Sequence, residues 1–227
     1  MPTGTLDFEG ILCSPGESEK RMKKYVLPGM GASSGMYRGE WGELEGGVFL
    51  DWPRAFSGTT VRELAEAVVE ENGIEAENVV MGSSLGGIVG CEIAEIVKLN
   101  AVVLVGSARS KEEISKLLSL FEPLIDYAPI EFVRRVVGKV PAEMGSMLLE
   151  SEADFIRKMC RAIFSWEGFQ GGCELFRIHG RRDRVIPLPE EVDVVIDGGH
   201  LIALTHAGEC CEAVNGWWRN THAPSSK

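Results

Sequence analysis

The sequence predicts an α/β domain: a mostly parallel sheet flanked by helices, with an all-helical block inserted late in the chain. Three observations predict it. Short apolar runs alternate with helical segments along most of the chain, and such alternation gives a parallel sheet covered on both faces. The runs are nearly continuous in aliphatic residues, as strands buried on both sides require. Between residues 110 and about 170 the strand pattern stops. Apolar residues at helical spacing take over, broken by Pro123, Pro129 and Pro141.

Residues 1–22 are mixed and polar, with Pro15-Gly16 as a turn. Lys24-Tyr25-Val26-Leu27 is the first strand, stopped by Pro28-Gly29. A glycine-rich stretch, Gly29 to Gly35, follows. Val48-Phe49-Leu50-Asp51 is a second strand, closed by Trp52-Pro53. Thr60-Val61-Arg62-Glu63 has the spacing of a capping box. It starts a helix with Val61, Leu64, Ala65, Val68 and Val69 on one face, and Asn72-Gly73 ends it. Asn78 to Met81 is a third strand, running through Gly82-Ser83-Ser84-Leu85-Gly86-Gly87 into an apolar helix over 88–97. Ala101 to Val105 is a fourth, closed by Gly106-Ser107. Strands resume at Leu175 to Ile178 and end with Val192 to Ile196. One helix is expected over 201–218, then a loose polar tail from Thr221. The division that follows is a core of residues 1–109 and 172–227 with a helical cap, 110–171, inserted in it.

The 227 residues fit one domain with an insertion and suffice for a sizeable core. Apolar residues are 44% and charged residues 25%, ordinary for a globular protein rather than a disordered or fibrous one. The 23 Lys and Arg against 34 Asp and Glu give a net charge of −11, which argues against nucleic acid or an anionic membrane as partner. The strongest apolar run, Ala101 to Val105, is far short of a membrane span, and the N-terminus lacks the pattern of a signal peptide. The six cysteines (Cys13, Cys91, Cys160, Cys173, Cys210 and Cys211) include no Cys-x-x-Cys pair, so they read as free thiols in a reducing, cytoplasmic compartment.

Gly82-x-Ser84-x-Gly86 lies between a strand and an apolar helix. In that setting the pattern is a nucleophile elbow: a sharp turn lifts the serine hydroxyl clear of the sheet, and small flanking residues let backbone approach backbone. The same pattern also serves as a plain tight turn. Ser83 lacks the spacing. A serine needs a base, and the base needs an orienting acid. Of four histidines, His200 stands in a loop just past a strand; His179 ends a strand and reads as packed, His206 falls in the last helix and His222 in the tail. Asp183 follows the penultimate strand among Arg181, Arg182 and Arg184, so a surface ion-pair cluster competes with a catalytic role. Asp197 is nearer His200 in sequence but is the weaker candidate.

Four stretches, Leu27 to Gly31, Gly82 to Gly87, Ile178 to Pro187 and Gly198-Gly199-His200, together resemble the α/β-hydrolase superfamily. The resemblance covers residues 27 to 200 and implies an α/β-hydrolase fold. It implies Ser84 as nucleophile, Asp183 as acid and His200 as base, with an oxyanion hole from the backbone N–H groups of Met30 and Leu85. It further implies hydrolysis of an ester or related acyl bond of a small molecule, with no metal or organic cofactor. Serine at the elbow speaks against dehalogenase or epoxide-hydrolase chemistry. Three departures mark a compact variant: Pro28-Gly29 in place of the usual His-Gly, reduced early strands, and no helix between Asp183 and the last strand.

In the inserted block, Phe121, Leu124, Tyr127 and Phe132 are candidates to line the acyl pocket, which favours neutral apolar acyl groups; helix-to-helix packing is the competing role. Two other functional readings stand beside hydrolysis. One is a non-catalytic small-molecule-binding protein on the same fold. The other is a dinucleotide-binding loop, Gly29-x-Gly31-x-x-x-Gly35 with Asp51 as ribose acid, weakened by the poor helix former that follows, Gly35 to Gly42.

Overall fold

The computed structural model describes residues 22–54, 56–114 and 153–222. Its strands are β1 (Lys24–Leu27), β2 (Gly47–Phe49), β3 (Val79–Ser83), β4 (Ala101–Val105), β5 (Glu174–Gly180) and β6 (Val194–Ile196). They form one sheet in the spatial order β2-β1-β3-β4-β5-β6, and every pairing is parallel. The helices are α1 (Val61–Asn72), α2 (Leu85–Ala94), α3 (Ala153–Ser165), α4 (Ile202–Thr205) and α5 (Ala207–His222). Short 3₁₀ turns occupy Ser34–Met36, Gly39–Glu43 and Lys111–Glu113.

Strand side chains alternate between faces, and each face is buried in its own core. Tyr25, Leu27, Val80, Val102 and Leu104 pack with Leu64, Val68, Ile88, Val89 and Met159 of α1, α2 and α3. Val26, Met81, Val103 and Ile178 pack on the other side with Trp41, Ile202, Cys210 and Val214. The near-continuous apolar strands of the sequence have this two-sided burial as their cause.

Local signals were realised where the chemistry is local. Thr60 and Glu63 form the reciprocal capping box, and Gly73 ends α1 at φ 59° in the left-handed region. Three expectations need correction. The elbow helix begins at Leu85, directly after Ser84, rather than at Ile88, because its first glycines pack tightly on the neighbouring strand ends. The C-terminal helix is two helices, and His206 sits at the break with φ −137°. His222 belongs to α5 rather than to a tail; its ring stacks on Trp218 at 3.8 Å, which extends the helix. Residues 181–193 carry turns and no helix, as the spacing predicts. Of the inserted block, 110–114 and 153–171 are described: α3 turns Ile156, Met159 and Ala162 into the core, and Phe121, Leu124, Tyr127 and Phe132 lie outside the described residues.

Candidate active site

The chain leaves β1 for β2 on one side and returns to β3 on the other. Such a switch of direction opens a crevice at the carboxyl ends of the two strands. Ser84 follows β3 at that crevice and Gly29-Met30 follows β1. Ser84 has φ 52° and ψ −118°, a conformation that costs a non-glycine residue on the order of 1–3 kcal/mol. Its surroundings enforce it. A Cβ on Gly82 would overlap the Gly86 backbone, and one on Gly86 would overlap the carbonyls of Leu27 and Pro28. The Ser84 carbonyl accepts hydrogen bonds from Gly87 N (3.1 Å), Ile88 N (3.3 Å) and Ser107 Oγ (2.6 Å). Ser84 sits at the cap position of α2, yet its hydroxyl makes no capping bond. The hydroxyl lies instead 2.9 Å from His200 Nε2.

His200 Nδ1 lies 2.7 Å from Asp183 Oδ2. Nδ1 therefore carries the hydrogen and Nε2 is free to accept one from Ser84. The loop that carries His200 rests on bare backbone: a Cβ on Gly180 would overlap the carbonyl of Gly199, and one on Gly106 would sit 2.9 Å from that of His200. Asp183 Oδ1 accepts the backbone N–H groups of Val185 (2.8 Å) and Ile186 (2.9 Å). Burial alone would raise the Asp183 carboxyl pKa. Hydrogen bonds from His179, His200 and the Ile186 N–H outweigh burial and hold it well below the usual carboxylate range. The neighbouring arginines are exposed while Asp183 is buried, and Arg182 pairs with the exposed Asp197 at 3.5 Å. Ser83 is buried within β3.

Leu85 is the first residue of α2, so its N–H has no acceptor inside the helix. Gly29 runs beside Ser84; a Cβ there would touch Ser84 Cβ at 3.9 Å. The Gly29 carbonyl accepts from Trp52 Nε1 (3.1 Å) and Ala32 N (3.2 Å). Across a planar trans peptide the next N–H points the opposite way, so these bonds also orient the Met30 N–H. Helix α3 reaches the same loop: Cys160 Sγ lies 3.6 Å from Met30 Sδ, and the Phe155 ring packs on Trp52 (5.8 Å) and Phe56 (6.2 Å).

Sequence reasoning missed Trp52, Ser107 and the contact of His179 with Asp183. Trp52 reads only as a strand stop and Ser107 only as a turn. Asp51 behaves as a turn residue: it accepts the Ser34 N–H at 2.6 Å, and the glycine-rich loop leads into a 3₁₀ turn rather than the helix a dinucleotide site needs. Among the described residues no group of three or more His, Cys, Asp or Glu is placed to hold a metal. Among them, too, no helix is long and apolar enough to cross a membrane. Cys91, Cys160, Cys173, Cys210 and Cys211 are free thiols.

No family model and no curated protein matches the chain in sequence. Solved structures match over nearly its whole length. A hydrolase from Oleispira antarctica superposes with a TM-score of 0.73 at 14% identity, covering 91% of this chain and 93% of that one. A thermophilic esterase from Thermogutta terrifontis gives 0.65 at 16% identity, covering 89% and 91%. An enol-lactonase from Burkholderia xenovorans gives 0.65 at 17%, covering 89% and 93%. The chain has the α/β-hydrolase fold.

Proposed function

We propose that this chain is a serine hydrolase of the carboxylesterase type, cleaving a small ester or related acyl bond through an acyl-enzyme on Ser84. The observation that carries the reading is the unbroken hydrogen-bonded series Ser84 Oγ–His200 Nε2 (2.9 Å) and His200 Nδ1–Asp183 Oδ2 (2.7 Å) at the sheet's switch point. Ser84 Oγ attacks the acyl carbon while its proton passes to His200 Nε2. Asp183 holds the ring in the tautomer that can accept and stabilises the imidazolium. The negative oxygen of the tetrahedral intermediate is met by the N–H groups of Met30 and Leu85, one such donor being worth about 3 kcal/mol. His200 returns the proton to the leaving alcohol, then takes one from the water that hydrolyses the acyl-enzyme. Met30, Trp52, Phe155 and Cys160 bring apolar surface to the oxyanion loop, which supports preference for neutral apolar acyl groups.

The test is labelling by a fluorophosphonate, together with turnover of a panel of open-chain and cyclic esters of varied acyl length. Label is expected on Ser84 and is expected to vanish, with turnover, in Ser84→Ala. Labelling at Ser83, or a fully labelled Ser84→Ala protein, would overturn the reading.

A further inference from the structure

His179 is buried, with 1% of its surface exposed, at the carboxyl end of β5. As one of four histidines it reads as core filling. Its contacts say more. His179 Nε2 lies 2.8 Å from the carbonyl oxygen of Ile186. A carbonyl can only accept, so Nε2 carries a hydrogen. The same nitrogen stands 3.4 Å from Asp183 Oδ2, the oxygen that accepts His200 Nδ1–H. Ile186 is thus held at both ends of its backbone: its N–H goes to Asp183 Oδ1 and its C=O receives His179. Asp183 itself sits in a tight turn, with its own N–H donated to the Gly180 carbonyl at 3.1 Å.

We propose that His179 is a positioning residue for the triad acid. Resting on the hydrolase reading of the site, it clamps the 183–186 loop to β5 and presents a second N–H beside the His200 bond on Asp183 Oδ2. The loop has no helix to stiffen it, since residues 181–193 form only turns. Its geometry therefore depends on side-chain and backbone bonds, and the His179 ring is the buried part of the strand that reaches it. The ring also fixes which way the carboxylate can rotate: Oδ1 is committed to Val185 and Ile186, and Oδ2 lies between two imidazoles. Low-dielectric surroundings strengthen such a network and make a missing donor costly. The contact with His179 belongs to the set that keeps Asp183 ionised despite its burial.

The experiment compares His179→Phe, which keeps a ring and removes the donor, with His179→Gln, whose amide can restore an N–H near the Nε2 position. NMR reads the wild type first. Nitrogen shifts of His179 are expected to report a hydrogen on Nε2, and an unprotonated Nε2 overturns the proposal whatever the variants do. The deshielded Nδ1 proton of His200 is expected in the wild type, retained in His179→Gln, and moved upfield or lost in His179→Phe. In turnover, His179→Phe is expected to lower kcat by about 10- to 100-fold with little change in KM, the scale set by small misplacements of a catalytic group. In an Asp183→Asn background the same change should add less than about twofold, because both act through one carboxylate. An unmoved His200 proton in folded His179→Phe, or equal losses in both backgrounds, overturns the proposal. Should the wild type neither hydrolyse esters nor take the label, the hydrolase reading fails, while the NMR measurements still decide the His179 contact.

Discussion

The two halves of the candidate site are held by different physics. On the Ser84 side, between β1, β3 and α2, position is set by exclusion. Ser84 occupies a strained φ of 52° because Gly82 and Gly86 let backbone segments touch with no room for a side chain. On the Asp183 side, past β5, the carboxylate's position is set by donors and acceptors. Asp183 is held by two backbone N–H groups and two histidines in a loop without regular structure. Steric exclusion fails all at once, whereas a hydrogen-bonded loop loses function in steps.

The largest effect is expected from Gly86→Ala. The added methyl group would overlap the carbonyls of Leu27 and Pro28, which are backbone atoms at the end of β1 and cannot move aside as a flexible side chain could. We expect destabilisation beyond about 4 kcal/mol, the range kept for severe core faults, with loss of soluble protein. Denaturant unfolding measures it. A folded Gly86→Ala protein with near-normal stability would show that the elbow is looser than its contacts indicate.

Asp183→Asn comes next and tests the other side. The fold should survive, since the amide oxygen can still accept the Val185 and Ile186 N–H groups. Turnover should fall about 10,000-fold, because the wrong imidazole tautomer is favoured. The same variant reports on ionisation. The folded Asp183 carboxyl is held below its ordinary pKa, so its contribution to stability is present above the unfolded value of about 3.9 and is lost as pH falls from there toward the folded value. The stability gap between wild type and Asp183→Asn should hold from neutrality to about pH 5 and narrow below about pH 4. A gap independent of pH would mean the carboxylate is not stabilised as its contacts require.

The same contrast explains what could be read from the sequence. The fold was legible because alternation of strands and helices is a property of composition along the chain. The elbow was legible because its cause, the absence of Cβ atoms at Gly82 and Gly86, is written in the residues themselves. His200 and Asp183 could be placed because each follows a strand end. Their supports could not. His179 meets Asp183 only through the fold of the turn between them, and Ser107 meets Ser84 only because β4 lies beside β3. Trp52 acts on a peptide bond of the next strand over. Local signals reported local geometry, and contacts that arise from sheet order left no mark in spacing. The expected single C-terminal helix failed for the same reason, since the break at His206 has no proline to announce it and the nearest glycine, Gly208, lies inside the next helix.

Ser107→Ala sharpens the nucleophile side with a smaller effect. Ser107 Oγ donates to the Ser84 carbonyl at 2.6 Å from a fully buried position. That carbonyl keeps the Gly87 and Ile88 N–H groups, so no acceptor is orphaned when the hydroxyl goes. A neutral hydrogen bond of this kind contributes about 1 kcal/mol net, and we expect a loss of that size in unfolding free energy. The fluorophosphonate labelling rate should fall less than about tenfold, the equivalent of that energy in rate. A much larger drop in rate at unchanged stability would show that the elbow's strain depends on this one bond rather than on the glycines.

The smallest effect is expected from Asp197→Asn, and it is informative because of its size. Asp197 is the carboxylate nearest His200 in sequence, and proximity along the chain alone would make it the acid. In the fold its side chain is 74% exposed and its partner, Arg182, is 67% exposed at 3.5 Å. Such a pair contributes between about 0 and 1 kcal/mol and weakens further with salt. Arg182 also donates to the Asp197 backbone carbonyl, a bond that the substitution leaves in place. The backbone of the base loop is fixed separately, by the close approach of Gly180 to Gly199 and by the Arg182 N–H donated to Gly198 O at 2.8 Å. Nothing that positions His200 therefore passes through the Asp197 carboxylate. Turnover by Asp197→Asn should stay within about twofold of the wild type and its stability within about 0.5 kcal/mol, the range of ordinary surface changes. A loss comparable to that of Asp183→Asn would reverse the assignment of the acid. It would also mean that the base is oriented from the solvent side of its loop rather than from the buried one.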